Sequence, residues 1–213
     1  VTDEPLEQQR VYSAERAKAF IDAVVAIAMT LLILPLMESV GEADPDLGAA
    51  VWFDEHQWQL ISFVISFAVI AMFWVNQHHL FAKVEFISNR LLWVCVAWLL
   101  SIVWMPVATA LTGAMSDDDV LVKVVYIGTM ILTSLLALAQ RIVLHRHPEL
   151  HSVDDAALRR GMAVDLAMAA LFAVALALAI AVPVIGYFAL FLLMLTGPVR
   201  RVFARLLGAR RAR

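Results

Sequence analysis

Charge is scarce in this chain: Asp, Glu, Lys and Arg make up 16% of its 213 residues, where a soluble domain carries about 25%. Cysteine is nearly missing. Cys95 stands alone, which excludes a disulfide scaffold and any multi-cysteine zinc site. Eight glycines and seven prolines are too few for a collagen-like or low-complexity chain. Several chemical signatures are absent as well. There is no G-x-S-x-G nucleophile elbow, no H-E-x-x-H zinc helix, no Walker loop and no TVGYG-type filter strand. What fills the space is apolar, since 62% of the residues are hydrophobic. A chain this short leaves too much surface exposed to hide that much apolar area from water. The sequence is that of an integral membrane protein.

A helix needs about 20 mostly apolar residues to cross the hydrocarbon core. Six such stretches are predicted, over 17–37, 58–82, 91–113, 120–144, 162–181 and 183–203, as one all-α domain over 1–213. The last two are divided by Val182-Pro183-Val184-Ile185-Gly186. The apolar run there is too long for one span, and proline and glycine break helices, so a hairpin is expected. The polar start, residues 1–16, does not read as a cleavable signal.

Lys and Arg concentrate in cytoplasmic loops and set orientation. With six spans and both termini inside, Lys123 is the one basic residue of 16 that falls outside. The outer segments carry Glu38, Glu42, Asp44, Asp46, Asp54, Glu55, Asp117, Asp118 and Asp119. Five spans would put the C-terminal arginines outside. Residues 204–213 read as a basic cytoplasmic tail lying against anionic lipid.

Ionisable residues inside spans are costly and face a partner or a wet cavity. Asp22 lies about five residues into the first span, roughly 8 Å deep at 1.5 Å per residue. The second span brings Trp74, Asn76, Gln77, His78 and His79 to the same level, and Trp74, Gln77, His78 and Phe81 share one helical face. Asn89 and Arg90 open the third span there, and Asp165 reaches a comparable depth on the fifth. Two arrangements for Asp22 are open: a pair with Lys18, four residues earlier on its own helix, or a network with His78 or Trp74 on the second span. Arg16 is out of register with Asp22 and points elsewhere. Ala23, Ile27, Thr30, Leu31 and Leu34 form a stripe about 100° wide on a wheel of 100° per residue, with Asp22 roughly opposite its middle. Such a stripe ordinarily touches lipid or a neighbouring helix. His145, His147 and His151 have the form H-x-H-x3-H and could bind a metal; in a basic polar loop they are expected to be solvated. Adjacent His78 and His79 face different ways and do not chelate together. Cys95 reads as a small packed hydrophobe.

Arg16-x-x-x-Phe20-Ile21-Asp22 resembles the R-x-x-x-F-S-D signature of the prokaryotic relatives of the lysosomal potassium channel called transmembrane protein 175, with Ile21 at the serine position. Trp74-x-x-x-His78-His79-x-Phe81, Asn89-Arg90-Leu91-Leu92 and Pro106-x-x-Thr109 add to the likeness. It is detailed in the first half of the chain and topological in the second. The resemblance implies a cation channel in a prokaryotic plasma membrane, a homotetramer in which the first helix of each subunit lines a central pore. It implies a hydrophobic constriction at Ile27, Leu31 and Leu34, a hydroxyl layer at Thr30, and a structural network of Arg16, Phe20, Asp22, Trp74 and His78. Potassium ions would be the permeant species, with modest preference over sodium. Other copies of the chain and membrane lipid are the expected partners, and no nucleic acid, metal or cofactor is expected. A proton-coupled transporter using Asp22, His78 and Asp165 is the alternative, a non-conducting scaffold the next. An enzyme is not expected.

Overall fold

The computed structural model describes residues 12–44, 46, 48–115 and 119–181. Five helical spans there are long and apolar enough to cross a membrane, so the chain is a multi-pass membrane protein. The predicted sixth span, 183–203, and the basic tail lie outside the described residues.

The first span runs from Ala14 to Gly41, but as two helices: α1 (Ala14–Leu31) and α2 (Leu34–Gly41). Pro35 causes the break, because it has no N–H to give to the preceding turn and its ring crowds that turn. Ile33 N–H instead reaches back to the Thr30 carbonyl at 3.4 Å. The single helix expected over 17–37 is thus longer and interrupted. A short helix, α3 (Gly48–Glu55), follows in what read as an outer loop. Gly48 opens it at φ +73°, a conformation that glycine adopts without a Cβ penalty.

The next spans are α4 (Gln57–Phe81), α5 (Asn89–Ala114), α6 (Val120–Arg146) and α7 (Asp155–Ala181). Ser88 caps α5, its hydroxyl accepting from Leu91 N–H, and Asp119 caps α6, accepting from Leu121 N–H at 2.8 Å. Such caps satisfy amides that a helix start leaves unpaired. The helix α7 begins seven residues before the expected 162, because Asp155 and Arg159 pair on its first turns and carry the helix beyond its apolar stretch.

α6 packs between α5 and α7, while α5 also carries α1 and α4. Trp98, Phe73, Phe172 and Met105 fill the shared core. In lipid the water-driven term is missing between helices, so packing and interhelical hydrogen bonds hold them. Ser66 is the node of one such set. It accepts from the Thr109 hydroxyl at 2.8 Å and shares a 2.8 Å bond with Tyr126, joining α4, α5 and α6.

One end of the bundle is stitched by backbone, which the sequence did not signal. Strand β1 (Tyr12–Ser13) pairs antiparallel with β2 (Phe86–Ile87). On the other side, Glu85 N–H gives to the Leu150 carbonyl at 2.9 Å and Ser152 N–H to the Lys83 carbonyl at 3.0 Å. The α4–α5 connection therefore lies between the start of α1 and the α6–α7 connection. Two-residue strands carry no hydrophobic period, so alternation could not reveal them.

Candidate functional site

The first span, α1 and the start of α2, has one packed and one open face. Ile21, Val25, Ala28 and Leu32 are buried against the bundle, whereas Ile27 is 58% exposed, Leu34 46% and Leu31 37%. Ala23 and Thr30 are also exposed, so the whole stripe predicted from the wheel lies outward in the single chain. The Thr30 hydroxyl donates to the Ile27 carbonyl at 2.7 Å, which leaves its oxygen lone pairs free to face the open side. A helix with this much apolar surface on one face is complete only when lipid, another subunit or an axis of symmetry covers it.

Asp22 sits about 130° around α1 from that face and meets α4. Trp74 Nε1–H donates to Asp22 Oδ1 at 2.8 Å, and the His78 ring lies 5.5 Å from the Trp74 ring at a 41° tilt. Lys18 turns instead to Glu15 at 2.9 Å, so the local Lys18–Asp22 pairing is not formed. The choice follows from need and cost: the indole of Trp74 is half-buried and its N–H needs an acceptor, whereas Lys18 pairs with an exposed Glu15, a contact worth little either way. Of the signature residues, the structure brings Asp22, Trp74 and His78 together. It leaves Phe20 61% exposed and Arg16 exposed. Ile21, at the serine position, is buried in the core.

Beneath this contact α1 and α4 enclose a cleft of about 300 Å³, lined by Lys18, Ile21, Asp22, Gln77, His78 and Phe81 among others. Gln77 is 3% exposed, and its Nε2 has no hydrogen-bond partner among the described residues.

A second polar cluster went unread in the sequence. Arg141 on α6 donates from Nε to Asp165 Oδ2 on α7 at 2.7 Å, and from Nη2 to the Asn76 side-chain oxygen on α4 at 2.7 Å. Asn76 Nδ2 closes the ring on Asp165 Oδ1 at 2.8 Å. Asp165 is 1% and Arg141 6% exposed, so the charges are neutralised inside the bundle, as burial demands. Gly161 makes room, because a Cβ there would run into the Arg141 guanidinium. The usable signal was two opposite charges at matching depth on neighbouring spans. Arg141 counted only as an orientation charge and was not paired. Both Asp165 oxygens are occupied here, and no hydrogen bond among the described residues joins this triad to Asp22 and His78.

The three loop histidines go separate ways. His145 meets Asp155 at 2.8 Å, His147 meets Glu149 at 2.9 Å, and His151 lies between the Leu144 carbonyl and Val153 N–H. Glu149's own backbone N–H, and then the His147 ring, hold its carboxyl below the usual glutamate range. Among the described residues no cluster of three His, Cys, Asp or Glu could hold a metal ion. Cys95 is buried on α5.

Comparison with known proteins bears on the same half of the chain. Residues 16–106 match the family model of the endosomal/lysosomal potassium channel TMEM175. The chain is 30% identical over 98 residues to a potassium channel of Chryseobacterium sp. (strain P1-3), covering 46% of this chain and 48% of that protein. It is 32% identical over 105 residues to a potassium channel of Streptomyces collinus, covering 49% of this chain and 50% of that protein. The chain thus matches about half the length of these curated relatives. In fold it is similar to the crystal structure of a variant of the potassium channel MtTMEM175, bound to a nanobody–MBP fusion. The TM-score is 0.66 at 17% identity, over 98% of this chain and 100% of that one.

Proposed function

We propose, from the match of residues 16–106 to the TMEM175 family model, that this chain is a member of that family and the subunit of a potassium-permeable cation channel in a prokaryotic plasma membrane. It is not an enzyme: the curated relatives are named potassium channels. Four copies form the channel, with both termini and the backbone-stitched end facing the cytoplasm. Their α1 helices line the pore.

The observation that carries this reading is the outward apolar stripe on α1, with Ile27 58% exposed. Arranged around a four-fold axis, the stripe becomes the wall of a conduit. Rings of Ile27, Leu31 and Leu34 form a hydrophobic constriction, where poor hydration gates ions by dewetting. Thr30 supplies the oxygen ligands on that face. A wall so poor in ligands discriminates weakly between bare ions, so the preference for potassium over sodium is modest. Glu38, Glu42, Asp44, Asp54 and Glu55 at the outer end raise the local cation concentration at the mouth. Asp22, Trp74 and His78 fix the back of α1 against α4, and Arg16 and Phe20 reach outward from the same end.

Flux from purified protein in liposomes under a potassium gradient, repeated with sodium and with Ile27→Asn, tests this. Potassium-favouring flux that rises and loses its preference in Ile27→Asn supports the reading. Identical flux in both proteins would take Ile27 out of the path. Saturable, substrate-dependent flux without unitary currents would replace a channel by a transporter.

A further inference from the structure

His151 uses both ring nitrogens to hold the connection between α6 and α7. Its Nδ1 accepts from Val153 N–H at 3.0 Å, and its Nε2 lies 3.0 Å from the Leu144 carbonyl. A backbone amide only donates and a carbonyl only accepts, so Nε2 carries the hydrogen and Nδ1 is bare. The ring in this arrangement is neutral. The same short segment is sewn to the α4–α5 connection. Val84 and His151 form an antiparallel bridge, Glu85 N–H gives to the Leu150 carbonyl at 2.9 Å, and Ser152 N–H gives to the Lys83 carbonyl at 3.0 Å. Glu85 passes the link on, because its own carbonyl accepts from the N–H of Ala14, the first residue of α1, at 3.0 Å.

A proton added to Nδ1 sets a donor against a donor, and Val153 N–H loses its acceptor. The charged ring finds no carboxylate to pair with among the described residues: Asp155 is held by His145 and Arg159, and Glu149 by His147. Glu149 feels the ring through its charge, but it is exposed, as are Glu85 and Asp154 and the cations Lys83 and Arg146 on the neighbouring segments, and water and salt screen such charges. His145 and His147 respond the other way, since protonation turns each of their contacts into an ion pair. We propose that His151 is a proton-operated latch: neutral, it closes the α6–α7 connection onto the α4–α5 connection, and protonated, it lets go. Imidazole changes charge between about pH 5 and 8, so the latch works in the physiological range. The α4–α5 connection carries the start of α1 on its other side, and opening removes one of its two flanks. On the channel reading, acid at this end slackens the mount of the pore helix; the latch itself stands apart from that reading.

Hydrogen exchange on the full chain in detergent, resolved at residues 83–85 and 150–153, tests the latch at about pH 8 and about pH 5. It reads amides and not flux, so its failure is separate from a failure of the channel reading. The reference is His151→Asn, whose side-chain oxygen accepts from the N–H two residues on, as in an Asx-turn, and does not titrate. Comparing the two proteins at each pH cancels the intrinsic effect of acid on exchange. Asn gives up the Leu144 carbonyl at both pH values, which sets the starting ratio and not its change. The ratio of wild-type to His151→Asn exchange at Val153, Glu85 and Ser152 is expected to rise roughly fivefold from the higher pH to the lower, the worth of one hydrogen bond. His151→Ala, with no acceptor in either state, should show the raised ratio at both. Leu91 N–H, held by Ser88 on α5, is the control and its ratio should stay level. A flat ratio at Val153, Glu85 and Ser152 overturns the proposal. So does an equal rise at Leu91, which would be general loosening by acid.

Discussion

Trp74 Nε1 and Asp22 Oδ1, 52 residues apart in sequence, meet at 2.8 Å. That bond joins α1 to α4 on the face of α1 that turns away from the exposed stripe. It therefore sets which way Ile27 and Thr30 point without touching either. Trp74→Phe keeps the ring near His78 and removes only the donor. It should lower the thermal stability of the folded protein by about 0.5–1.5 kcal/mol, the net worth of one hydrogen bond that is only half-buried. Asp22→Ala should disturb folding or assembly more than permeation, measured as the yield of assembled protein by size-exclusion chromatography against flux per assembled particle. Normal yield with lost flux would move Asp22 into the ion path.

The Arg141–Asp165–Asn76 triad predicts a larger effect. Asp165→Leu leaves a guanidinium stranded in the bundle, and losing one partner of a buried pair costs about 3–5 kcal/mol. Replacing both charges, Arg141→Met with Asp165→Leu, should recover much of that loss, because apolar packing then substitutes for the pair. Thermal unfolding in detergent of the single and double variants checks this. A double variant as unstable as the single one would show that the triad does more than neutralise charge.

Gly161→Ala should destabilise by about 1–3 kcal/mol, the range for overpacking a filled interior. The added Cβ meets the Arg141 guanidinium, so the same substitution should cost little in the Arg141→Met, Asp165→Leu double variant, which has no guanidinium to meet. Gly128, with nothing near its would-be Cβ, is the control, and Gly128→Ala should be neutral or mildly stabilising through helix propensity.

Ser66→Ala removes the hydroxyl between Thr109 and Tyr126. Interhelical hydrogen bonds inside membranes average about 0.6 kcal/mol. The expected loss is therefore a fraction of that seen for Asp165→Leu, read in the same unfolding assay. A loss as large as the triad's would mark this hydroxyl node as a main brace of the bundle.

At Thr30, substitution should act on ions and leave the fold alone. Among the described residues its hydroxyl bonds only to its own helix, at the Ile27 carbonyl, and the residue is exposed in the single chain. Thr30→Ala should fold normally and shift the potassium-to-sodium permeability ratio, measured by reversal potential in bilayers. An unchanged ratio would remove Thr30 from the conduction path.

Much of this was legible in the sequence because membrane insertion writes itself into composition. Apolar run lengths gave the five described spans to within a few residues, apart from the early start of α7. Helical periodicity alone placed Ile27, Thr30, Leu31 and Leu34 on the face away from Asp22. Pro35 could have announced the break between α1 and α2. Tertiary structure decided the pairings. Lys18 lay one turn from Asp22 and still went to Glu15, because Trp74 arrived from another helix with a half-buried N–H that needed an acceptor. Arg141 had no local sign that it would turn inward to Asp165 and Asn76, or that Gly161 would make way for it. The backbone ladder among residues 12–14, 83–87 and 150–152 was likewise invisible. Spans and faces follow from one-dimensional rules of length and period. Partners depend on which helices come to lie side by side, and that is fixed only when the bundle packs.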